Sequence, residues 1–584
     1  MPDDTNRHLN PATDQDLPLS FVAGDPSDPD KDFNEAAYLR AFPDIAAAVQ
    51  RGEVTSALDH YLLNGRDEKR LQRPEYRRQL APDFGGGPIT AAGLLAAAKV
   101  PDAPGFNIDM VVASKSGAVF VVGWADDHSN PLIMVNLRMQ RCAPRSWTRF
   151  PRLRRSDVEA VVLTSIQHHY GFWVFSDGDT AFLSDDFWTA PANCVVELRF
   201  ANAAVATVPC PLVVNTDVQL RDTVMGYFAA SDYYGGRPVA AMANLDRDAG
   251  DALIRFNKTL SRAITAGATV RRFGPDRQHF VGSIVVALYG ISDYFFVQSC
   301  LFAQGRGIAD YEFVYVVNSP ELAETLYREA LISQMVYGLS QTLVLLPGNA
   351  GFGAANNIAA QFARCDRLLC INPDVFPRDR DWAQRHTDLL GSVPAAQTRL
   401  FGTSLYYDDG SLMHGGMYFE TDVGIIAHPG NMELRTLIRV EHYGRGAPAW
   451  ATQYTASRPV PAVTGAFLSV NRSWFEKLGG FTEDYMFGHH EDADLCLKSL
   501  REDAPAWIHD IPMWHLEGKG CRRLPSHEGG ALLNRWLFSR TWESTIVPDL
   551  VGKTPRLSLT RAAPPEQEKP AAPRCKPQAR SARR

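Results

Sequence analysis

No run of about eighteen apolar residues occurs in the 584-residue chain, so no membrane-spanning helix is expected. The first thirty residues are rich in Asp, Pro, Asn and Ser and lack an apolar stretch, which argues against an ordinary signal peptide. Cysteines are nine, an odd number, and none stands at zinc-type or paired spacing. Cys365 and Cys370 sit in apolar company and read as small buried hydrophobes. This usage fits a reducing cytoplasm. Excess positive charge is also missing: the formal net charge is −7, which argues against nucleic acid as a partner. What remains is 45% apolar and 21% charged residues, an ordinary globular composition. The length exceeds one core, so several domains are expected.

Residues 1–30 read as disordered. Residues 31–84 read as a small helical unit, with Tyr38, Leu39, Phe42, Ile45 and Val49 at helical spacing. A second helix carries Ala57, His60, Tyr61 and Leu62 and ends at Asn64-Gly65. His60 suits packing or capping better than a ligand role. Glycine and proline punctuate a linker over 85–105. Short strand-like runs over 106–213, at Phe120–Trp124, Leu132–Met139, Val158–Leu163, Gly171–Phe175 and Cys194–Phe200, indicate a β-sandwich accessory domain. Trp124, Asp126, Asp127, Phe172 and Trp173 could form a sugar-stacking face, but aromatics on strands are usually core. Residues 216–280 read as a helical connector, with helices near Val218–Ala230 and Ala252–Ala266. Over 281–550 strands alternate with helices, the pattern of an α/β domain with a mostly parallel sheet. The glycine- and histidine-rich stretch from Phe401 to about 460 reads as an acceptor-facing loop, entered by a turn at Tyr407–Gly410. Residues 551–584 form a basic, disordered tail, and Lys553–Arg584 carries seven net positive charges. Such a tail could hold the chain at an anionic inner-membrane face.

The stretch around which the α/β region is organised runs from Leu343 to Phe376. It reads as a strand, a turn at Pro347–Gly353, a helix over Ala354–Phe362, a strand at Arg367–Ile371, and then Asn372-Pro373-Asp374. Gly351 and Gly353 allow backbone to approach closely. Asp374 falls just past a strand's carboxyl end, the edge where open α/β sheets bind ligands. The residues alone leave three readings open: a dinucleotide site, a nucleotide-sugar site with a metal on Asp374, or a turn without a ligand.

Further on come Thr464-Gly-Ala, Gly479-Gly-Phe481, Glu491-Asp492-Ala-Asp494-Leu495 and His515-Leu-Glu-Gly518. Together with the strand ending at Tyr289, Asn349-x-Gly351-Phe-Gly353-x-x-Asn356 and Asn372-Pro-Asp374, this ordered set resembles the inverting family-2 glycosyltransferases of GT-A fold. The likeness is greatest to bacterial rhamnosyl- and galactofuranosyl-type enzymes of surface polysaccharide synthesis, and it covers about 281–550. The resemblance implies a GT-A, Rossmann-like domain that transfers a glycosyl unit from a nucleoside-diphosphate sugar to a glycan or glycolipid, with inversion. It implies Asp374 and His515 as ligands of Mg²⁺ or Mn²⁺, and Tyr289, Asn318, Asn349, Gly351, Gly353 and Asn356 as the nucleotide-sugar pocket. Asn372 stands where the family has the first acid of Asp-x-Asp, and Asn318-Ser319 where it has a nucleoside-contacting Asp.

The chemistry asks for the same groups. A leaving diphosphate needs a hard cation on carboxylate oxygen. An attacking hydroxyl needs a base, which points to Asp492, with Glu491 beside it as a like charge or an acceptor-positioning group. Glu491, Asp492 and Asp494 would equally suit an acidic first helical turn, and for Asp494 that reading is preferred. His515 would also suit a capping position. A catalytically silent carbohydrate-binding protein with the same fold is the alternative function, kept open by Asn372 and Asn318.

Overall fold

Strands of β-branched and aromatic residues build two layers near the amino end of the computed structural model. The structure describes residues 105–139, 144–155, 157–159, 169–178, 194–229, 242, 245–275, 277, 279–428, 431–518 and 524–551, together with 39, 43–51 and 54–60. The expectations for 1–30, for most of the 85–105 linker and for the tail beyond 551 lie outside these residues. In the small amino-terminal unit, Ile45 of the Pro43–Gln50 helix packs on Ala57 of the Ala57–His60 turn, and His60 is buried.

The first layer pair comprises β1 (Phe106–Ser114), β2 (Val119–Ala125), β3 (Leu132–Met139), β4 (Arg145–Trp147), β5 (Arg152–Leu153), β6 (Gly171–Ser176), β7 (Cys194–Phe200), β8 (Val205–Cys210) and β9 (Leu212–Asn215). One sheet has the order β5-β6-β2-β1-β9 and the other β4-β3-β7-β8. Alternating residues from both, such as Val111, Val119 and Val121 against Val135, Leu137, Val196 and Leu198, share one core. Phe172 and Trp173 are buried core. Asp127 is tied to Arg152 at 2.6 Å and accepts the Leu132 N–H. The expected strand at Val158–Leu163 is corrected at its start: Asp157–Glu159 is helical, because Arg155 pairs with Asp157 and its carbonyl takes the Val158 and Glu159 N–H groups.

The sheet of the α/β region contains β10 (Thr269–Phe273), β11 (Gly282–Leu288), β12 (Tyr311–Val317), β13 (Ser340–Leu345), β14 (Arg367–Ile371), β15 (Val375–Pro377), β16 (Leu400–Tyr406), β17 (Leu412–His414), β20 (Arg458–Val460), β21 (Phe467–Asn471) and β22 (Ala506–His515). Between β17 and β20, β18 (Met417–His428) and β19 (Asn431–His442) pair only with each other. The main order is β10-β13-β12-β11-β14-β21-β16-β22-β15. Strands β11 to β14 are linked by the helices Asp293–Ala303, Ala323–Tyr337 and Phe352–Phe362, and such crossovers make neighbours parallel. Beyond β14 the chain returns through the helices Trp382–Ser392 and Ala395–Thr398 and a run of strands and turns, and β21 runs antiparallel to both β14 and β16. The sheet is therefore mixed, which corrects the expectation of a mostly parallel one. β10 lies in the stretch read as connector yet pairs antiparallel with β13 at the sheet's edge.

Apolar clusters cover both faces of this sheet. Small residues of the Phe352–Phe362 helix, Ala354, Ala355 and Ala359, allow close packing on one face. Phe295, Phe302 and Trp382 fill the other. The stretch expected to be an acceptor-facing loop is built mostly of strands, among them the β18–β19 ribbon, which is a second correction. Arg535 of the Pro525–Asp549 helix donates to the Ile438 carbonyl, and Ile438 N–H donates to Ser539 Oγ, so this ribbon is docked on a helix. The strand-like run at Ala506–Ile508 extends to His515. Pro512 is tolerated there because the β16–β22 register shifts beside it.

Candidate functional site

In the order β13-β12-β11-β14, successive crossovers run outward from β11 on one side and the chain then returns to its other side. The crevice beyond the carboxyl ends of β11 and β14 is where such a sheet opens for a ligand. Tyr289 follows β11, Asn318 follows β12, the Asn349–Gly351 turn follows β13, and Asp374 follows β14.

Four of these residues form one network, in which Tyr289 is half-buried and the other three are buried. Asn318 Nδ2 donates to Asn349 Oδ1 at 2.9 Å, and Asn318 Oδ1 accepts the Ala350 N–H at 2.8 Å. Asn349 Oδ1 also accepts the Gly351 N–H at 2.9 Å. The Tyr289 hydroxyl meets the Asn349 side chain, and burial raises its pKa. An amide at 318 thus does what a carboxylate could not, donating and accepting at once. Gly351 has φ +87°, and a Cβ there would lie 3.3–3.5 Å from the Phe487 backbone. Phe352 N–H donates to the Phe487 carbonyl. The close approach that these glycines permit is to the Phe481–Phe487 segment, and Gly353 likewise faces the Thr482 carbonyl. Asn356 is buried and donates to Phe352 O at 2.9 Å, so its side chain serves its own helix. Gly353 and Asn356 therefore stand apart from the Tyr289–Asn318–Asn349–Gly351 network.

Asp374 and His515 are brought together because Val375 of β15 pairs with His515 of β22. His515 Nε2 lies 3.5 Å from Asp374 Oδ1, and both side chains are buried. His515 Nδ1 is buried without a hydrogen-bond partner. Among the described residues no group of three or more His, Cys, Asp or Glu side chains forms a metal cluster. The donor set fits a hard cation that takes one carboxylate, one imidazole and, for the rest, phosphate and water oxygens.

Asp492 lies in the first turn of the Glu491–Arg501 helix. Its Oδ2 accepts the Gly465 N–H at 2.9 Å and its Oδ1 the Ala493 N–H at 2.8 Å. The next residue of the same loop, Ala466, offers its carbonyl to the Asn372 N–H at 3.0 Å. Two consecutive residues thus bridge the base candidate to the strand end that carries Asp374. A Cβ on Gly465 would lie 3.5 Å from that of Asp492 and 3.1 Å from the Phe352 ring. Glu491 is buried with Oε2 unpartnered, and burial followed by the Asp492 charge pushes its carboxyl up to about 8. Asp494 is spent on structure: Trp542 Nε1 donates to it at 2.8 Å, Thr482 Oγ1 at 2.5 Å, and Lys498 stands 3.0 Å away.

The approach to this helix is strained. Phe487, His489 and His490 all have positive φ, between 60° and 85°, a region that costs a non-glycine residue about 1–3 kcal/mol. Asn534, fully buried on the Pro525–Asp549 helix, holds them by donating to the Met486 and Gly488 carbonyls at 2.8 and 2.6 Å.

Sequence reasoning missed Asn534, and it missed Arg221 in the connector. Arg221, almost wholly buried, donates to the Asn349 carbonyl at 2.7 Å and lies over the Phe487 ring at 4.4 Å. It also missed His414 and His442, whose Nδ1 atoms are 3.0 Å apart. The histidine-rich character of 401–460 was the one signal for that pair.

No family model matches the chain. A curated relative, the uncharacterised protein y4gI of Sinorhizobium fredii, is 28% identical over 147 residues, 25% of this chain and 15% of its own. Among solved structures, GalNAc-T7 with UDP, GalNAc and Mn²⁺ aligns with TM-score 0.30 and 14% identity over 46% of this chain and 48% of its own. The Pyrobaculum calidifontis mannosyltransferase PcManGT with GDP-Man and Mn²⁺ aligns at 0.29 and 14%, over 50% and 69%. A putative glucose-1-phosphate thymidylyltransferase from Bacillus anthracis aligns at 0.25 and 11%, over 44% and 96%.

Proposed function

We propose that the chain is a metal-dependent glycosyltransferase that moves a sugar from a nucleoside-diphosphate donor to a glycan or glycolipid hydroxyl with inversion, in surface polysaccharide synthesis. The observation that supports this most is the bridge through Gly465 and Ala466, which links the Asp492 carboxylate to the strand end just before Asp374. In this reading the Tyr289–Asn318–Asn349–Gly351 network shapes the nucleotide end, with Gly353 and Asn356 behind it. Asp374 and His515 would hold Mg²⁺ or Mn²⁺, which supplies charge neutralisation for the leaving diphosphate.

Asp492 takes the proton of the acceptor hydroxyl as that hydroxyl becomes acidic in the transition state. Its two backbone hydrogen bonds fix the carboxylate in place. Glu491, held protonated by its burial, can donate a hydrogen bond to the acceptor rather than compete for the same proton. A neutral neighbour also spares Asp492 a second negative charge.

The test is hydrolysis of nucleoside-diphosphate sugars with Mn²⁺, after a thermal-shift screen to select the donor. Wild type should turn over a stabilising donor, and Asp492→Asn should not. If both are inert while glycan binding persists, the chain is a carbohydrate-binding protein instead. Peripheral contact of the basic tail with an anionic inner-leaflet surface belongs to the same proposal; equal liposome pelleting with and without residues 553–584 would end it.

A further inference from the structure

His414 ends β17 and His442 ends β19, and their rings meet edge to face with centroids 4.8 Å apart. Their Nδ1 atoms, at 3.0 Å, must share one proton, one donating and the other accepting. The far side of His414 decides which. Its Nε2 lies 3.5 Å from the Thr464 backbone N–H, a group that can only donate. His414 Nε2 therefore accepts and its proton is on Nδ1. His442 Nδ1 then accepts, and the His442 proton sits on Nε2, away from His414.

Burial keeps both rings neutral. It lowers His414 well below the ordinary histidine range, and lowers His442 too although the Asp492 charge acts the other way. His414 is fully buried, whereas His442 keeps partial exposure. The charged or titratable groups within electrostatic reach of His442 include Asp492, His515, Arg445 and Glu517. Glu517 is itself engaged by Arg445 at 2.9 Å and by the Tyr407 hydroxyl at 2.8 Å. Asp492 has both oxygens on backbone N–H groups. No hydrogen bond to His442 Nε2 occurs among the described residues.

We propose that His442 is an acceptor-binding residue of this site, donating from Nε2 to an oxygen of the acceptor sugar beside Asp492, and that His414 is the positioning residue that fixes its tautomer through Thr464. This rests on the glycosyl-transfer reading. The loop that orients the base then also orients the acceptor's donor: Thr464 sets the histidine pair and Gly465 holds Asp492.

Two measurements test it on the full chain. Nitrogen-15 spectra of histidine-labelled protein, assigned with His414→Gln and His442→Gln, should show Nδ1–H at 414 and Nε2–H at 442. Transfer from the donor found by thermal shift is then measured to octyl β-galactoside, octyl α-mannoside and octyl α-rhamnoside. His442→Phe should raise the acceptor KM about tenfold, the scale of one lost hydrogen bond, with the donor KM changed less than twofold. His442→Gln, which retains an N–H, should recover most of that loss. An Nδ1–H tautomer at 442, equal losses in the Phe and Gln variants, or a parallel rise in donor KM would each overturn the proposal. No donor turnover by wild type would instead defeat the glycosyl-transfer reading, and this proposal with it, whatever the tautomers.

Discussion

Replacing Glu491 by Gln should make the protein more stable, and increasingly so as pH rises. The carboxyl is 5% exposed, its Oε2 has no partner, and burial lifts its pKa from 4.5 to about 8. The unfolded chain releases this proton near pH 4.5, whereas the folded chain holds it to about pH 8. Folded protein therefore binds more protons throughout that window, and stability from this group, complete below pH 4.5, is lost as pH climbs through 8. At roughly 1.4 kcal/mol per pH unit, the cost is about 3 kcal/mol at pH 7 and approaches about 5 at pH 8. Glutamine has nearly the same shape and no charge to bury, so it escapes the penalty. Urea unfolding of both proteins at pH 5, 6, 7 and 8 reads the difference directly. The curves should nearly coincide at pH 5 and diverge steadily. A gap that stays level from pH 5 to 8 would mean that the Glu491 carboxyl ionises as an exposed one does, and the picture of a neutral acid beside Asp492 would have to be abandoned.

Asp492→Asn should cut sugar transfer by about 10²–10⁴-fold, the usual worth of a positioned base, with donor affinity little changed in titration calorimetry. Asp374→Ala and His515→Ala should each weaken Mn²⁺-dependent donor binding by roughly tenfold or more; binding that ignores Mn²⁺ in wild type would remove the metal from the account. Asp494→Ala strands Trp542 and Thr482 without their acceptor and Lys498 without its counter-charge, and should destabilise by about 3–5 kcal/mol, seen as a lower denaturation midpoint. Gly351→Ala forces a Cβ against the Phe487 backbone at φ +87°, while Gly479→Ala meets open space at φ +77°. The first should cost about 1–2 kcal/mol more than the second by the same measurement.

The crossover half of the large sheet was legible in the sequence because each of its strands is a buried apolar run ended by a turn. Arg367–Ile371 was read at its observed bounds, and Asp374 fell where a strand's end puts a carboxylate. The mixed half was not, since antiparallel return depends on which distant strand offers a free edge, as β21 does to β14. The β18–β19 ribbon escaped notice because charged residues such as Glu420, Asp422 and Arg439 interrupt its apolar pattern, and its partner surface, the Pro525–Asp549 helix, lies a hundred residues on. Asp492 was singled out from its motif. Arg221 and Asn534 carry no local signal, Gly465 shows only as part of Thr464-Gly-Ala, and the histidine pair only as histidine-rich composition, for their worth comes from contacts between distant parts of the chain.

Arg221 has one more implication. Its guanidinium runs from the connector helix Asp217–Phe228 into the turn after β13, and the same helix shares apolar packing with Phe120, Trp173, Leu533 and Trp536. The first two of those belong to the amino-terminal sheets and the last two to the closing helix. A shortened chain beginning at residue 281 would leave the Asn349 carbonyl without its cation and an oily strip open to water. Cutting there would behave less like detaching an appendage than like drawing the keystone from an arch.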